Sequence, residues 1–147
     1  MKRAAYFLSI LALMFLFCGS SAAEVCDMEE KLTITIDGIQ VEVDWEENES
    51  VAALREIVQS NPLTIRLSMY GGFEQVGSLG TELPRQDVQT NTNYGDIVLY
   101  SGNQIVVFYG SNAWAYTRLG HIRDLSQAEL KKLLGQHDVT ITLALSA

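Results

Sequence analysis

Alternation of apolar and polar residues runs through most of the chain. Leu32, Ile34 and Ile36 alternate with polar residues, Asp37-Gly38 follows, and Ile39, Val41, Val43 and Trp45 alternate again. Asp-Gly tolerates positive φ at both turn positions, so the pattern predicts a hairpin with Ile36 opposite Ile39, Ile34 opposite Val41 and Leu32 opposite Val43. The period then changes. Val51, Leu54, Ile57 and Val58 recur at helical spacing, with Asn48 or Ser50 as N-cap and Asn61-Pro62 as the stop. Glu46, Glu47 and Glu49 ahead of that helix suit its dipole and read as a solvated cap; they lack the spacing of a calcium loop.

Pro62 opens a third strand, LTIRLSMYGG, which would place Leu63, Ile65, Leu67 and Met69 inside and Thr64, Arg66, Ser68 and Tyr70 outside. Gly71-Gly72 bends the chain, and Phe73 to Val76 can run back as a short strand. Residues 77–94 read as a long loop. Three apolar runs come next, GDIVLY, QIVVFY and AYTRLGHI, separated by Ser101-Gly102-Asn103 and Gly110-Ser111-Asn112. The first two are apolar on both parities, Ile97 and Leu99 against Val98 and Tyr100, and Ile105 and Val107 against Val106 and Phe108. Such strands are covered on both sides and form the centre of a fold. In the third, Tyr116 and Arg118 share one face, opposite Thr117, Leu119 and His121. Ser126 and Glu129 form a capping box, with Leu125 and Leu130 as its hydrophobic staple, for a helix ending at Gly135. Val139, Ile141, Leu143 and Leu145 make a last strand. The count is eight strands and two helices, without repeats or linkers.

The first 23 residues fall outside this pattern. Lys2 and Arg3, the apolar run from Tyr6 to Phe17 and the small residues Ser21-Ala22-Ala23 predict a secretory signal, too short in its apolar part for a membrane span of about 20 residues. Removing residues 1–23 from 147 leaves 124, enough for one domain, and takes the formal net charge from −8 to −10. That division gives a signal over 1–23, a flexible tail over 24–30 and one domain over 31–147. The product is expected to be exported, periplasmic or extracellular. Lipid attachment at Cys18 is a minor alternative, since the bulky Phe17 stands where a small residue is wanted. Cys26 would remain as a lone thiol near the new N-terminus. The acidic balance argues against nucleic-acid partners and against binding to anionic lipid.

No familiar catalytic constellation is present. His121 and His137 lack metal-ligand spacing, no serine sits in a nucleophile elbow, and Gly71-Gly72 is not a phosphate loop. No metal or cofactor is expected.

The GDIVLY strand, the strand ending in FYG and the YTRLGHI run before a short helix resemble the bacterial cyclophilin-like domains, in this order and over essentially the whole mature chain. The resemblance implies a mainly β fold, a closed eight-stranded barrel with two short capping helices. It also implies a testable activity. Cyclophilin prolyl isomerases use an arginine, on the strand that ends in Gly-Gly, to weaken the amide resonance behind a barrier of roughly 18–20 kcal/mol. Matching that pair to Gly71-Gly72 puts Pro62 at the arginine position, which leaves Arg66 as a weak catalytic candidate. The family's pocket histidine falls near Tyr116, and Trp114 lies near its pocket tryptophan.

Arg66, Tyr70, Trp114, Tyr116 and Arg118 are therefore the candidate ligand-binding residues, on a shallow outer-face groove; Tyr109 reads rather as packing. Aromatic rings with polar tips beside a planar cation suit peptides and small anionic ligands. The leading expectation is an exported module that binds a peptide or small molecule without a chemical step, with an extracytoplasmic prolyl isomerase as the alternative. The ligand is expected to be neutral or negatively charged near Arg66 and Arg118. Residues 77–94 are expected to be mobile at the groove rim and to order when it is filled.

Overall fold

The computed structural model describes residues 29–146. The expected signal over 1–23, most of the tail and both cysteines lie outside the described residues. No helix among them is long and apolar enough to cross a membrane.

The described residues are mainly β with two helices, as the alternation predicts, but they form eleven strands in two sheets. Strands β1 (Lys31–Ile36), β2 (Ile39–Val41), β4 (Leu63–Arg66) and β11 (Thr140–Ser146) form a four-stranded sheet in the order β2-β1-β11-β4. Strands β3 (Val43–Trp45), β5 (Ser68–Tyr70), β6 (Glu74–Ser78), β8 (Asp96–Tyr100), β9 (Gln104–Phe108) and β10 (Ala113–Ile122) follow the order β3-β10-β8-β9-β6-β5, and β7 (Val88–Asn91) pairs the start of β10.

Neither sheet closes on itself, so the expected closed eight-stranded barrel gives way to two open sheets joined at two corners. The expected strand over 39–45 breaks at Glu42, whose backbone N–H donates to Asp124 Oδ1 and whose carbonyl accepts from Arg123, both in the turn after β10. The expected pairs Ile36–Ile39 and Ile34–Val41 form, whereas Val43 leaves the hairpin and sits opposite Ile122. The strand over 63–70 breaks likewise at the buried Leu67, whose N–H donates to Val139. Its first half pairs β11 and its second half pairs β6. Met69, expected inside, is consequently 38% exposed. A glycine serves close approach at each corner. A Cβ on Gly77 would fall 2.7 Å from the Arg66 carbonyl oxygen, and one on Gly120 would fall 2.9 Å from that of Asp44.

The main core lies between the sheets. Leu32, Ile34 and Ile36 meet Ile97, Leu99, Ile105 and Val107 there, together with Leu119, Ile141 and Leu143. Helix α1 (Glu49–Val58), capped by Asn48 Oδ1 accepting from Val51 N, adds Val51, Leu54 and Val58. Helix α2 (Gln127–Leu134), with the expected Ser126–Glu129 capping box, adds Leu130 and Leu134. The opposite parity of the central strands, Val98, Val106 and Phe108, forms a second, smaller cluster with Tyr116 on the outer face of the larger sheet. Both faces are apolar, as the two-parity pattern predicts, but the outer one is covered by aromatic side chains of its own sheet.

The span over 77–94 is not a free loop. Leu79 and Leu83 are buried, their N–H groups donate to the carbonyls of Asn103 and Gly102, Ser50 Oγ donates to the Pro84 carbonyl, and β7 pairs β10.

Candidate functional site

Across the outer face of the larger sheet, from β5 to β10, runs an open groove of about 410 Å³. Strand alternation sets its lining. Val76 and Val106 face each other across the β6–β9 pair and form the floor. Tyr70 rises on the β5 side, and Tyr100, Trp114 and Tyr116 on the β8 and β10 side; Gln104 and Asn112 supply amides.

The rings form a connected set. Tyr70 meets Phe73 edge-on at 6.4 Å, Phe73 stacks parallel to Phe108 at 6.5 Å, and Tyr116 stands edge-on to both Phe108 (5.7 Å) and Tyr100 (6.0 Å). Such pairs hold ring positions by about 0.5–1.5 kcal/mol each beyond the area they bury. The Tyr116 hydroxyl accepts a 2.9 Å bond from Asn112 Nδ2, which fixes that wall, and burial pushes its pKa up. Trp114 and Tyr70, by contrast, are 56% and 64% exposed.

Three of the five expected site residues, Tyr70, Trp114 and Tyr116, line this groove. Two do not. Arg66 lies on β4 in the other sheet, opposite Thr140, with a side chain 76% exposed and 4.0 Å from Asp138. The break at Leu67 separates it from Tyr70, which a continuous strand would keep on the same face. Arg118 turns to Asp96, donating from Nη1 to Oδ2 at 3.1 Å and from Nη2 to the Asn91 carbonyl at 3.3 Å. The same buried carboxylate meets His121 Nδ1 at 2.8 Å and accepts from Asn93 N–H. Arg118 is thus one part of a structural ion cluster beside the β-bulge between Arg118 and Gly120. Tyr109 is core packing, as its reading suggests, with its hydroxyl buried and unpartnered.

Sequence reasoning missed Glu74. It sits on β6 opposite Phe108 and Tyr70, shares the groove face with Val76, and is 8% exposed. Its Oε2 is buried without a hydrogen-bond partner, and burial raises its pKa to about 7. Its shared parity with Val76 after the Gly71-Gly72 bend is the one signal that could have found it. When ionised the carboxylate accepts hydrogen bonds, and when protonated it donates one. Among the described residues no three His, Cys, Asp or Glu side chains gather as a metal would require.

Residues 34–144 match the model of the cyclophilin-like family. No curated protein matches the chain in sequence. Among solved structures, the chain is similar to the solution structure of a hypothetical protein from Archaeoglobus fulgidus. The TM-score is 0.53 at 19% identity, over 78% of this chain and 93% of that one, a likeness of fold.

Proposed function

The chain belongs to the cyclophilin-like family, and on that footing we propose that it is a binding module whose outer-face groove takes a peptide or small molecule without a chemical step. The observation that carries this reading is the groove itself: an open volume of about 410 Å³ over an apolar floor, walled by Tyr70, Tyr100, Trp114 and Tyr116. Concave, mostly apolar sites with a few convergent polar groups are where small ligands and peptide side chains bind. Two half-exposed aromatic residues at the rim are surface that a ligand would cover. The module would act outside the cytoplasm after removal of residues 1–23.

The alternative, a prolyl isomerase, needs an arginine at the bound proline. No arginine is among the described residues lining the groove, and Arg66 lies in the other sheet near Asp138.

Titration with ligands while following tryptophan emission tests the proposal. A saturable change that disappears in Trp114→Ala supports it, with Trp45, bonded to the Leu32 carbonyl at 2.8 Å, as an internal reference. A protease-coupled assay on X-Pro peptides tests the alternative. Acceleration beyond the uncatalysed exchange of tens of seconds, lost in Arg66→Ala, would put the isomerase first.

A further inference from the structure

Glu74 is the only carboxylate among the described residues lining the groove, and none of them is a lysine, arginine or histidine. Its Oε2 has no partner. The two amide side chains of the lining, Gln104 and Asn112, do not hydrogen-bond it, and the Asn112 amide donates instead to Tyr116. The two arginines that the sequence places beside the ligand stand with acids of their own, Arg66 near Asp138 and Arg118 on Asp96. A buried carboxylate without a counter-charge is costly, and folded proteins ordinarily pair such groups. The Glu74 side chain lines the groove, so a ligand seated there is the partner within its reach.

We propose that the ligand carries a primary ammonium or guanidinium group, seated on the Glu74 carboxylate between the faces of the surrounding tyrosines and Trp114. This rests on the groove being a binding site, and it replaces the expected neutral or anionic ligand. A carboxylate gives a cation its counter-charge and hydrogen-bond acceptors. The rings add the attraction of their negative faces, strongest for tryptophan. A phosphate or carboxylate ligand would instead meet Glu74 with no cation between them.

The chemistry could come from a free amine or from the side chain of a lysine- or arginine-containing peptide. Either way binding needs Glu74 ionised. Its pKa of about 7 therefore makes affinity rise with pH through neutrality and level off above it. The other titratable groups around it are the phenols of Tyr70, Tyr100, Tyr109 and Tyr116, and burial pushes the pKa values of Tyr109 and Tyr116 up.

Three matched probes decide it: phenethylamine, 2-phenylethanol and 3-phenylpropionate, each titrated against Trp114 emission. The amine should bind at least about tenfold tighter than the alcohol, and the propionate weakest. The amine's affinity at pH 5 should be about 100-fold below its plateau. In Glu74→Gln, shown to be folded by its unfolding midpoint, the amine should fall to the alcohol's affinity and lose its pH dependence. Acetyl-Ala-Lys-Ala-amide distinguishes the sources: tighter binding than phenethylamine assigns a peptide side chain, weaker binding a free amine. If the alcohol or the propionate binds as well as the amine, the cation assignment falls while the groove stands. If no probe moves Trp114 emission, both fall.

Discussion

Glu74 and Gln75 are neighbours on one strand and turn to opposite faces of the sheet, Glu74 to the groove and Gln75 to the core. The Gln75 amide nitrogen passes into the core and donates 2.7 Å bonds to the carbonyls of Leu134 and His137, while Gln75 Oε1 and Glu74 Oε2 are both buried without a partner. The core thus satisfies the donors of its one fully buried glutamine at the end of α2, where helix carbonyls lack intrahelical partners.

Replacing Gln75 by leucine should leave both carbonyls buried without that donor. The expected loss is about 2–3 kcal/mol, seen as a lower urea midpoint with an unchanged slope. Amide exchange should speed up from Leu134 to Asp138. An unchanged midpoint would mean that the glutamine contributes no net stability.

Glu74 should make stability depend on pH in the sense opposite to most acids. Its pKa is raised from 4.5 to about 7, so the folded state binds the proton more tightly. The resulting stabilisation is fully present below pH 4.5 and is lost as pH rises through about 7. Glu74→Gln should accordingly be more stable than the wild type at pH 8, by on the order of 2–3 kcal/mol, and about equal to it at pH 4. Denaturant midpoints at the two pH values measure this. A pH-independent difference would refute it.

Asp96 holds Arg118, His121 and the Asn93 N–H together. Asp96→Ala strands an arginine and opens the turn before β8, for an expected loss of about 2–4 kcal/mol. Arg118→Met should lower stability yet leave affinity for a groove ligand within about twofold, the usual scale for a residue remote from an interface. A large loss of affinity in Arg118→Met would return that residue to the site.

Residues 77–94 should exchange slowly without any ligand. The amides of Leu79, Leu83 and Thr92 donate to Asn103, Gly102 and Asn112, and Leu79 and Leu83 are core residues. None of this segment lines the groove, so ligand should not change its protection. Rapid exchange at Leu79 and Leu83, quenched by ligand, would restore the mobile rim that its polarity predicts.

Export rests on the first 23 residues alone. Protein recovered from its native host should have the intact mass of a chain beginning at Glu24. A mass that includes Met1, or acyl chains on Cys18, would reverse the expectation.

Most of the fold was legible because the physics that sets it is local. Asp37-Gly38, the Ser126–Glu129 box and the two-parity runs each fix an element within a few residues. The corners were not legible. Val43 and Leu67 continue an unbroken alternation, and only the competing bonds from Arg123, Asp124 and Val139, distant in sequence, end the strands there. The same break removed Arg66 from the site, since parity counting is valid only within one strand. Glu74 was hidden for a related reason. An acid on a short strand reads as solvated until Tyr70, Phe108 and Tyr116 are seen to close around it.

The pairing of β1 with β11, Lys31 opposite Ser146 and Ile36 opposite Ile141, sets the order in which this protein can come into being. Its smaller sheet has the earliest described strand hydrogen-bonded to the latest, with β4 on the far side of the latest. Until synthesis reaches the last strand, Leu32, Ile34 and Ile36 have no partner beyond the short β2 hairpin, and one wall of the core does not exist. Closure across such sequence separations is slow. Before β11 emerges, the central runs GDIVLY and QIVVFY therefore lack the sheet that covers their inner face and stand exposed to chaperones and to one another.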